Sequence, residues 1–228
     1  LGSALTDQIG HTPLVPVTGL EGVAESVIVI GKAEWLNPGG SVKDRAAWGI
    51  VQAAEADGTL GRGRILLDAT SGNTGISYAW IGAARGFRVT LCLPANANAE
   101  RRRVLAALGA ELVLTDAMDG TDGAIHEARR LAGAHPERYF HADQYANPAN
   151  WRAHVEGTAE EIWAETEGRV THFVAAVGTS GTLVGTARGL RAHRATIDVT
   201  AVQPDGPLHV LEGVKHLPSC MVPLIYDA

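Results

Sequence analysis

The chain is poor in cysteine: two in 228 residues, Cys92 and Cys220, far apart in the sequence. That excludes a disulfide framework. Cys92 falls inside the apolar run Val89, Thr90, Leu91, Cys92, Leu93 and reads as a buried free thiol. Long hydrophobic runs are missing as well. None approaches the roughly 20 residues of a membrane span, and no basic stretch followed by an apolar one opens the chain, so a cytoplasmic protein without a membrane partner is expected. Positive charge is in deficit, with 19 Lys and Arg against 25 Asp and Glu and a net charge of −6. This argues against nucleic acid as a partner and leaves a small neutral or anionic metabolite. Disorder is excluded by a composition of 46% hydrophobic and 19% charged residues. The sequence also lacks an initiating Met and a clear terminal element after position 226, so it is expected to be part of a longer product.

What is present is an alternation. Short β-branched runs at 27–30, 65–69, 88–93, 111–114, 173–177 and 199–202 predict strands. Helical patterns fill 41–57, 74–85, 99–108, 121–134, 151–166 and 182–193, most closed by Gly or a polar break. The class is α/β with a parallel sheet covered by helices. No fixed repeat or heptad interrupts the alternation, and Tyr145, Ala146, Asn147 and Pro148 mark the best candidate for a crossing between two lobes. In such sheets ligands bind beyond the carboxyl ends of the strands, so the loops after strands are where chemistry is expected.

Two of those loops are rich in donors. Thr70, Ser71, Gly72, Asn73, Thr74 and Gly75 follow one predicted strand and open a helix. The exposed N–H groups and the helix dipole suit a carboxylate or phosphate, although an N-cap with a turn glycine has the same composition. Gly178, Thr179, Ser180, Gly181 and Thr182 repeat the arrangement after a later strand. Glycine lets the backbone curl around an anion while hydroxyls add donors. Together the loops point to a ligand with two anionic groups.

A third segment, Asn37, Pro38, Gly39, Gly40, Ser41, Val42, Lys43, Asp44, Arg45, runs from a turn into a helix. Ser41 and Asp44 have capping-box spacing, which puts Lys43 at the second helical position. The macrodipole and any desolvation would lower its pKa and raise the fraction of neutral amine, the form that attacks a carbonyl. A solvated lysine paired with Asp44 is the competing reading.

Other templates fail. The glycines at 58, 61 and 63 precede a strand rather than follow one, so they form no dinucleotide fingerprint, and the segment from Gly39 to Lys43 lacks Walker spacing. No histidine pair has zinc-ligand spacing, so no metal is expected, and surface or capping roles are the reading for most of the histidines. Ser180 is not in a nucleophile elbow. Arg101, Arg102 and Arg103 read as a solvated helix face.

Taken in order, several stretches resemble the cysteine synthase and cystathionine β-synthase family of pyridoxal-phosphate enzymes with the type II fold. They are His11, Thr12, Pro13, Leu14; Lys32, Ala33, Glu34, Trp35 onward to Arg45; the Thr70 loop; Glu100, Arg101, Arg102; Gly109, Ala110, Glu111; Gln144, Tyr145, Ala146, Asn147, Pro148, Ala149, Asn150; and the Gly178 loop. The resemblance implies two three-layer lobes with mainly parallel twisted sheets. The smaller, substrate-closing lobe would span 36–146, and the larger 1–35 plus 147–228, with its C-terminal part absent from this sequence.

The family pattern assigns Lys43 to hold the cofactor, pyridoxal 5'-phosphate, covalently and then to move the substrate's α-proton. By the same matching, Asn73 binds the cofactor's ring oxygen, and Gly178, Thr179, Ser180, Gly181 and Thr182 form its phosphate cup. Thr70, Ser71, Gly72, Thr74 and Gln144 are the expected grip on the substrate α-carboxylate. The implied reaction is β-replacement through an aminoacrylate, turning O-acetylserine or O-phosphoserine and sulfide into L-cysteine, as in O-acetylserine sulfhydrylases. A homodimer is expected by family analogy. The segment Gln203, Pro204, Asp205, Gly206 offers an acid where an arginine would suit a leaving phosphate, which favours acetate. Two alternatives stand beside this one: a cystathionine β-synthase using serine and homocysteine, and a non-catalytic relative serving as a binding scaffold. The family's partner for the pyridine nitrogen lies in a segment this sequence does not contain.

Overall fold

The structure, a computed structural model, describes residues 4–61, 63–70, 72–207, 209–211 and 213–226. Strand β1 (Leu14–Pro16) pairs antiparallel with β2 (Ile30–Lys32), and α1 (Lys43–Ala56) follows. The chain then alternates β3 (Ile65–Ala69), α2 (Asn73–Arg85), β4 (Val89–Pro94), α3 (Ala99–Ala107), β5 (Glu111–Thr115), α4 (Gly120–Ala134) and β6 (Tyr139–His141). These four strands form one parallel sheet in the order β5-β4-β3-β6. A helical rod follows: α5 (Pro148–Ala153), a wider π-helical turn (His154–Ala159) and α6 (Glu160–Glu165). Strand β7 (His172–Ala176), α7 (Gly181–His193) and β8 (Asp198–Val202) complete a parallel two-stranded sheet.

Both central strands, β3 and β4, are buried along their whole length, as the continuous apolar runs of a doubly covered parallel sheet require. Alternate residues serve opposite faces. Leu66, Leu91 and Leu93 pack with Ile50, Val51, Tyr78 and Ile81 of α1 and α2. Ile65, Leu67, Ala69 and Cys92 pack with Ala124, Ile125 and Ala128 of α4. Cys92 is fully buried and free, and burial, with the Glu127 and Asp68 carboxyls nearby, pushes its thiol pKa up to about 12.

The strand order places the site. The chain steps outward from β3 to β4 to β5, then returns to the other side of β3 with β6. The direction reverses between β3 and β6, and a crevice at that reversal is where open α/β sheets take ligands. Thr70 directly follows β3, and Gln144 lies three residues past the end of β6.

Most predicted elements are found, with boundaries moved by up to three residues. The exceptions have physical causes. Strands β1 and β6 were not expected because three-residue segments carry no readable period. The strand expected at 27–30 lies at Ile30–Lys32. The single helix expected over 151–166 is three segments, because a π turn widens the helix without changing its apolar pattern.

Candidate active site

The first loop is built on itself. Thr70 is buried, and its Oγ1 accepts the N–H groups of Gly72 (3.2 Å) and Gly75 (3.3 Å). Gly72 caps α2, and a Cβ on Gly75 would lie 2.8 Å from Thr70 Cγ2, so the hydroxyl-to-glycine closure needs the missing side chain. Thr74 is buried, whereas Asn73 opens the helix exposed, its side-chain amide without a partner among the described residues. Ser71 lies outside the described residues. Gln144 comes to this loop from across the strand reversal: its Nε2 donates to Ala69 O (2.8 Å) and its N–H to Asp68 Oδ2 (3.2 Å). Asp68 is fully buried, and burial raises its pKa to about 7 against the N–H donors that favour ionisation.

The second loop is held from outside. Ser180 sits in left-handed backbone (φ 70°) as the cap of α7, and its buried Oγ has no partner among the described residues. Asn150 on α5 donates to Thr179 Oγ1 (3.1 Å) and to Gln144 O (2.7 Å), so one amide ties the second loop to the first. Contact between α7 and the rod is closed by glycines four residues apart. A Cβ at Gly181 would overlap Asn150 Oδ1, one at Gly185 would overlap Trp151 O, and one at Gly189 would overlap the Ala159 Cβ. The rod answers with a polar stripe at the same spacing: Asn150, His154 and Thr158, all buried. His154 Nδ1 meets Thr158 Oγ1 at 2.8 Å, and its Nε2 meets Thr182 Oγ1 at 3.3 Å.

Lys43 begins α1. The expected capping box does not form: Val42 is the cap, and Ser41 Oγ accepts the Lys43 N–H instead (3.2 Å). Nor does Asp44 pair with Lys43. Its fully buried carboxylate accepts from Gly39 N (2.5 Å), Ser77 Oγ (2.5 Å) and Trp80 Nε1 (3.0 Å), pinning the start of α1 to the first turns of α2. With three donors inside the protein already satisfying it, the carboxylate is not a partner for Lys43. Among the described residues no carboxylate reaches the Lys43 amine, and desolvation lowers its pKa. Beyond it, Arg45 joins Glu34 and Glu161, and Lys32 joins Glu161 and Glu165. Burial works against the Glu161 charge, yet hydrogen bonds from Arg45, Lys32 and the His11 N–H bring its pKa down to about 2.

Sequence reasoning missed two contributors. Asn150 and His154 act on residues 29 and 28 positions away, so no local motif marks them. The available signal was buried-type spacing, polar residues at 150, 154 and 158 facing glycines at 181, 185 and 189. His154 is a core residue, not a surface or capping one. The arginine run is not a solvated face throughout: Arg101 and Arg102 are half-buried, and Arg101 Nη1 lies 3.1 Å from where a Gly72 Cβ would stand. Among the described residues no cluster of three His, Cys, Asp or Glu side chains could hold a metal. No helix among them is long and apolar enough to cross a membrane.

A family model described as pyridoxal-phosphate dependent enzyme matches residues 5–219. The chain belongs to that family. Within it, the chain is 49% identical over 221 residues to a cysteine synthase of Aquifex aeolicus, covering 96% of this chain and 68% of the relative. Cysteine synthase B of Salmonella typhimurium is 41% identical over 228 residues, covering 99% of this chain and 73% of its own. The crystal structure of cysteine synthase from Entamoeba histolytica matches with a TM-score of 0.92 at 37% identity, over 100% of this chain and 70% of that one. The fold expected from the sequence, α/β with mainly parallel sheets of the type II pyridoxal-phosphate enzymes, is the fold observed.

The residues present fit the family's cofactor. A desolvated amine is suited to bond an aldehyde carbon. The Gly178 loop offers a helix N-terminus, a buried Ser180 hydroxyl without a partner among the described residues, and the Thr182 hydroxyl, which suit a phosphate.

Proposed function

We propose that this chain is a pyridoxal-phosphate-dependent cysteine synthase that exchanges the acetoxy group of O-acetylserine, or the phosphate of O-phosphoserine, for sulfide and releases L-cysteine. One observation carries the reading: a desolvated lysine at the start of α1, tied through Asp44 to α2 and its donor-rich loop, in a chain whose second such loop opens α7. Bound pyridoxal phosphate supplies the electron sink that lets the Cα–H bond break and the β-substituent leave.

The chain's own groups do the rest in this reading. Lys43 Nζ holds the cofactor's aldehyde carbon, then carries the α-proton from the substrate and returns it to Cα. Thr70, Ser71, Gly72, Thr74 and Gln144 orient the substrate carboxylate, so that binding energy fixes the Cα–H bond for removal. Asn73, whose side-chain amide has no partner among the described residues, donates to the cofactor's ring oxygen. Gly178, Thr179, Ser180, Gly181 and Thr182 hold the phosphate. A carbon–sulfur bond forms at the β-carbon, the carbon–oxygen bond breaks, and acetate leaves with its electron pair. The smaller lobe of 36–146 closing on the larger one of 1–35 and 147–228, a homodimer, and a cytoplasmic location belong to the same proposal.

The test is direct. Borohydride reduction of the full-length protein with pyridoxal phosphate is expected to add the cofactor's mass at Lys43. Lys43→Ala is expected to lose that adduct and at least about a thousandfold of cysteine formation. Cofactor-loaded protein that makes no cysteine from O-acetylserine and sulfide would overturn the reading, and a preference for serine with homocysteine would redirect it to cystathionine formation.

A further inference from the structure

His154 has no part in the reaction as drawn, yet it is fully buried on the π turn, and both ring nitrogens meet threonine hydroxyls. Thr158 is itself buried, and among the described residues its hydroxyl has no partner except Nδ1; the Thr182 hydroxyl has none except Nε2. The ring stays neutral: burial first, then the nearby Lys43 and Arg45 charges, lower its pKa to about 3. A neutral imidazole has one donor and one acceptor, so only two arrangements exist.

In the first, Nδ1–H donates to Thr158 and Nε2 accepts the Thr182 proton. Thr158 then buries a hydroxyl proton with no acceptor, and Thr182 turns only lone pairs toward the Gly178 loop, where they would face an anion. In the second, Thr158 donates to Nδ1, Nε2–H donates to Thr182 Oγ1, and the Thr182 proton points at the loop. Every buried donor is then used, and the loop gains one more donor for a negative charge.

We propose that His154 is a positioning residue of the phosphate cup, held as the Nε2–H tautomer so that the Thr182 hydroxyl donates to the cofactor's phosphate. The inference rests on the cup assigned under the proposed function. The π turn has a part in it: the turn carries both His154 and Thr158 and packs on Gly185 and Gly189 through His154 Cβ, Val155 O and Ala159 Cβ, which holds the ring against Thr182.

The experiment uses the full-length protein and two readouts other than activity. Side-chain nitrogen NMR of histidine-labelled protein is expected to show a pyrrole-type Nε2 and a pyridine-type Nδ1 for His154. Pyridoxal-phosphate affinity, followed by fluorescence titration, is expected to fall about tenfold in His154→Phe and about tenfold in Thr182→Val. It should fall no further in the double variant, and His154→Gln, which keeps a donor, should recover part of the loss. A pyridine-type Nε2 overturns the inference even if His154→Phe fails to fold, and so do additive losses in the double variant. If the unsubstituted protein binds no pyridoxal phosphate, the functional reading itself falls, an outcome distinct from a wrong tautomer in a protein that binds it.

Discussion

Two loops in this chain open a helix at the end of a parallel strand, and they are secured in opposite ways. The loop from Thr70 to Gly75 is braced by its own hydroxyl and leaves Asn73 exposed, with no side-chain partner among the described residues. The loop from Gly178 to Thr182 is braced by Asn150 and His154 from another element, across an interface that admits no Cβ at Gly181. A site that must take in and release a substrate carboxylate suits the first design. A site that keeps a cofactor phosphate through many turnovers suits the second, because preorganised donors cost no rearrangement when the anion arrives.

Substitutions can break this contrast. The largest effect is expected from Gly181→Val, which drives a side chain into Asn150: about 3 kcal/mol of stability by thermal unfolding, with loss of pyridoxal-phosphate binding. Asn150→Ala removes the amide that links Thr179 to Gln144 and is expected to cost about 2 kcal/mol while weakening cofactor and substrate together in separate titrations. A cofactor-only effect would show that the link to Gln144 carries no coupling.

Acidity sharpens the contrast next. Glu161 on α6, held by Arg45 and Lys32, has a folded pKa of about 2 against an ordinary 4.5, so its contribution is full above 4.5 and is lost as pH falls toward 2. Asp68, beneath the self-braced loop, has a folded pKa of about 7 against 3.8. Between those values the folded state holds the extra proton, so stability declines as pH rises from 3.8 to about 7 and then levels. Melting temperatures across pH are expected to lose the acid limb in Glu161→Gln and the neutral decline in Asp68→Asn. The smallest effect is expected from Gly72→Ala, whose Cβ would, among the described residues, meet the end of the Arg101 side chain at 3.1 Å: under about 1 kcal/mol in denaturant titration.

The sequence was most readable where a local rule acts alone. The strand at 65–69 was found to the residue because five apolar or buried positions end at a loop of turn residues. Both helix-opening loops were legible because glycine and hydroxyl residues after a strand have few other uses. Lys43 was legible as a candidate, but its surroundings were not: Asp44 looked like its partner and is spent on Gly39, Ser77 and Trp80, the last two 33 and 36 positions on. His154 and Asn150 were hidden for the same reason. Their roles come from packing one helix on another, and a helix-spaced polar stripe shows its meaning only once the facing glycines are seen beside it.

The buried thiol of β4 has a consequence for a protein that handles sulfide. With its pKa near 12, Cys92 holds roughly one thiolate in 10⁵ molecules at pH 7. Persulfide exchange and oxidation both run through the thiolate and need access to it. A cysteine with no exposed surface, in the middle of a parallel sheet, therefore lets the enzyme work in its own reactive sulfur pool without modifying its core.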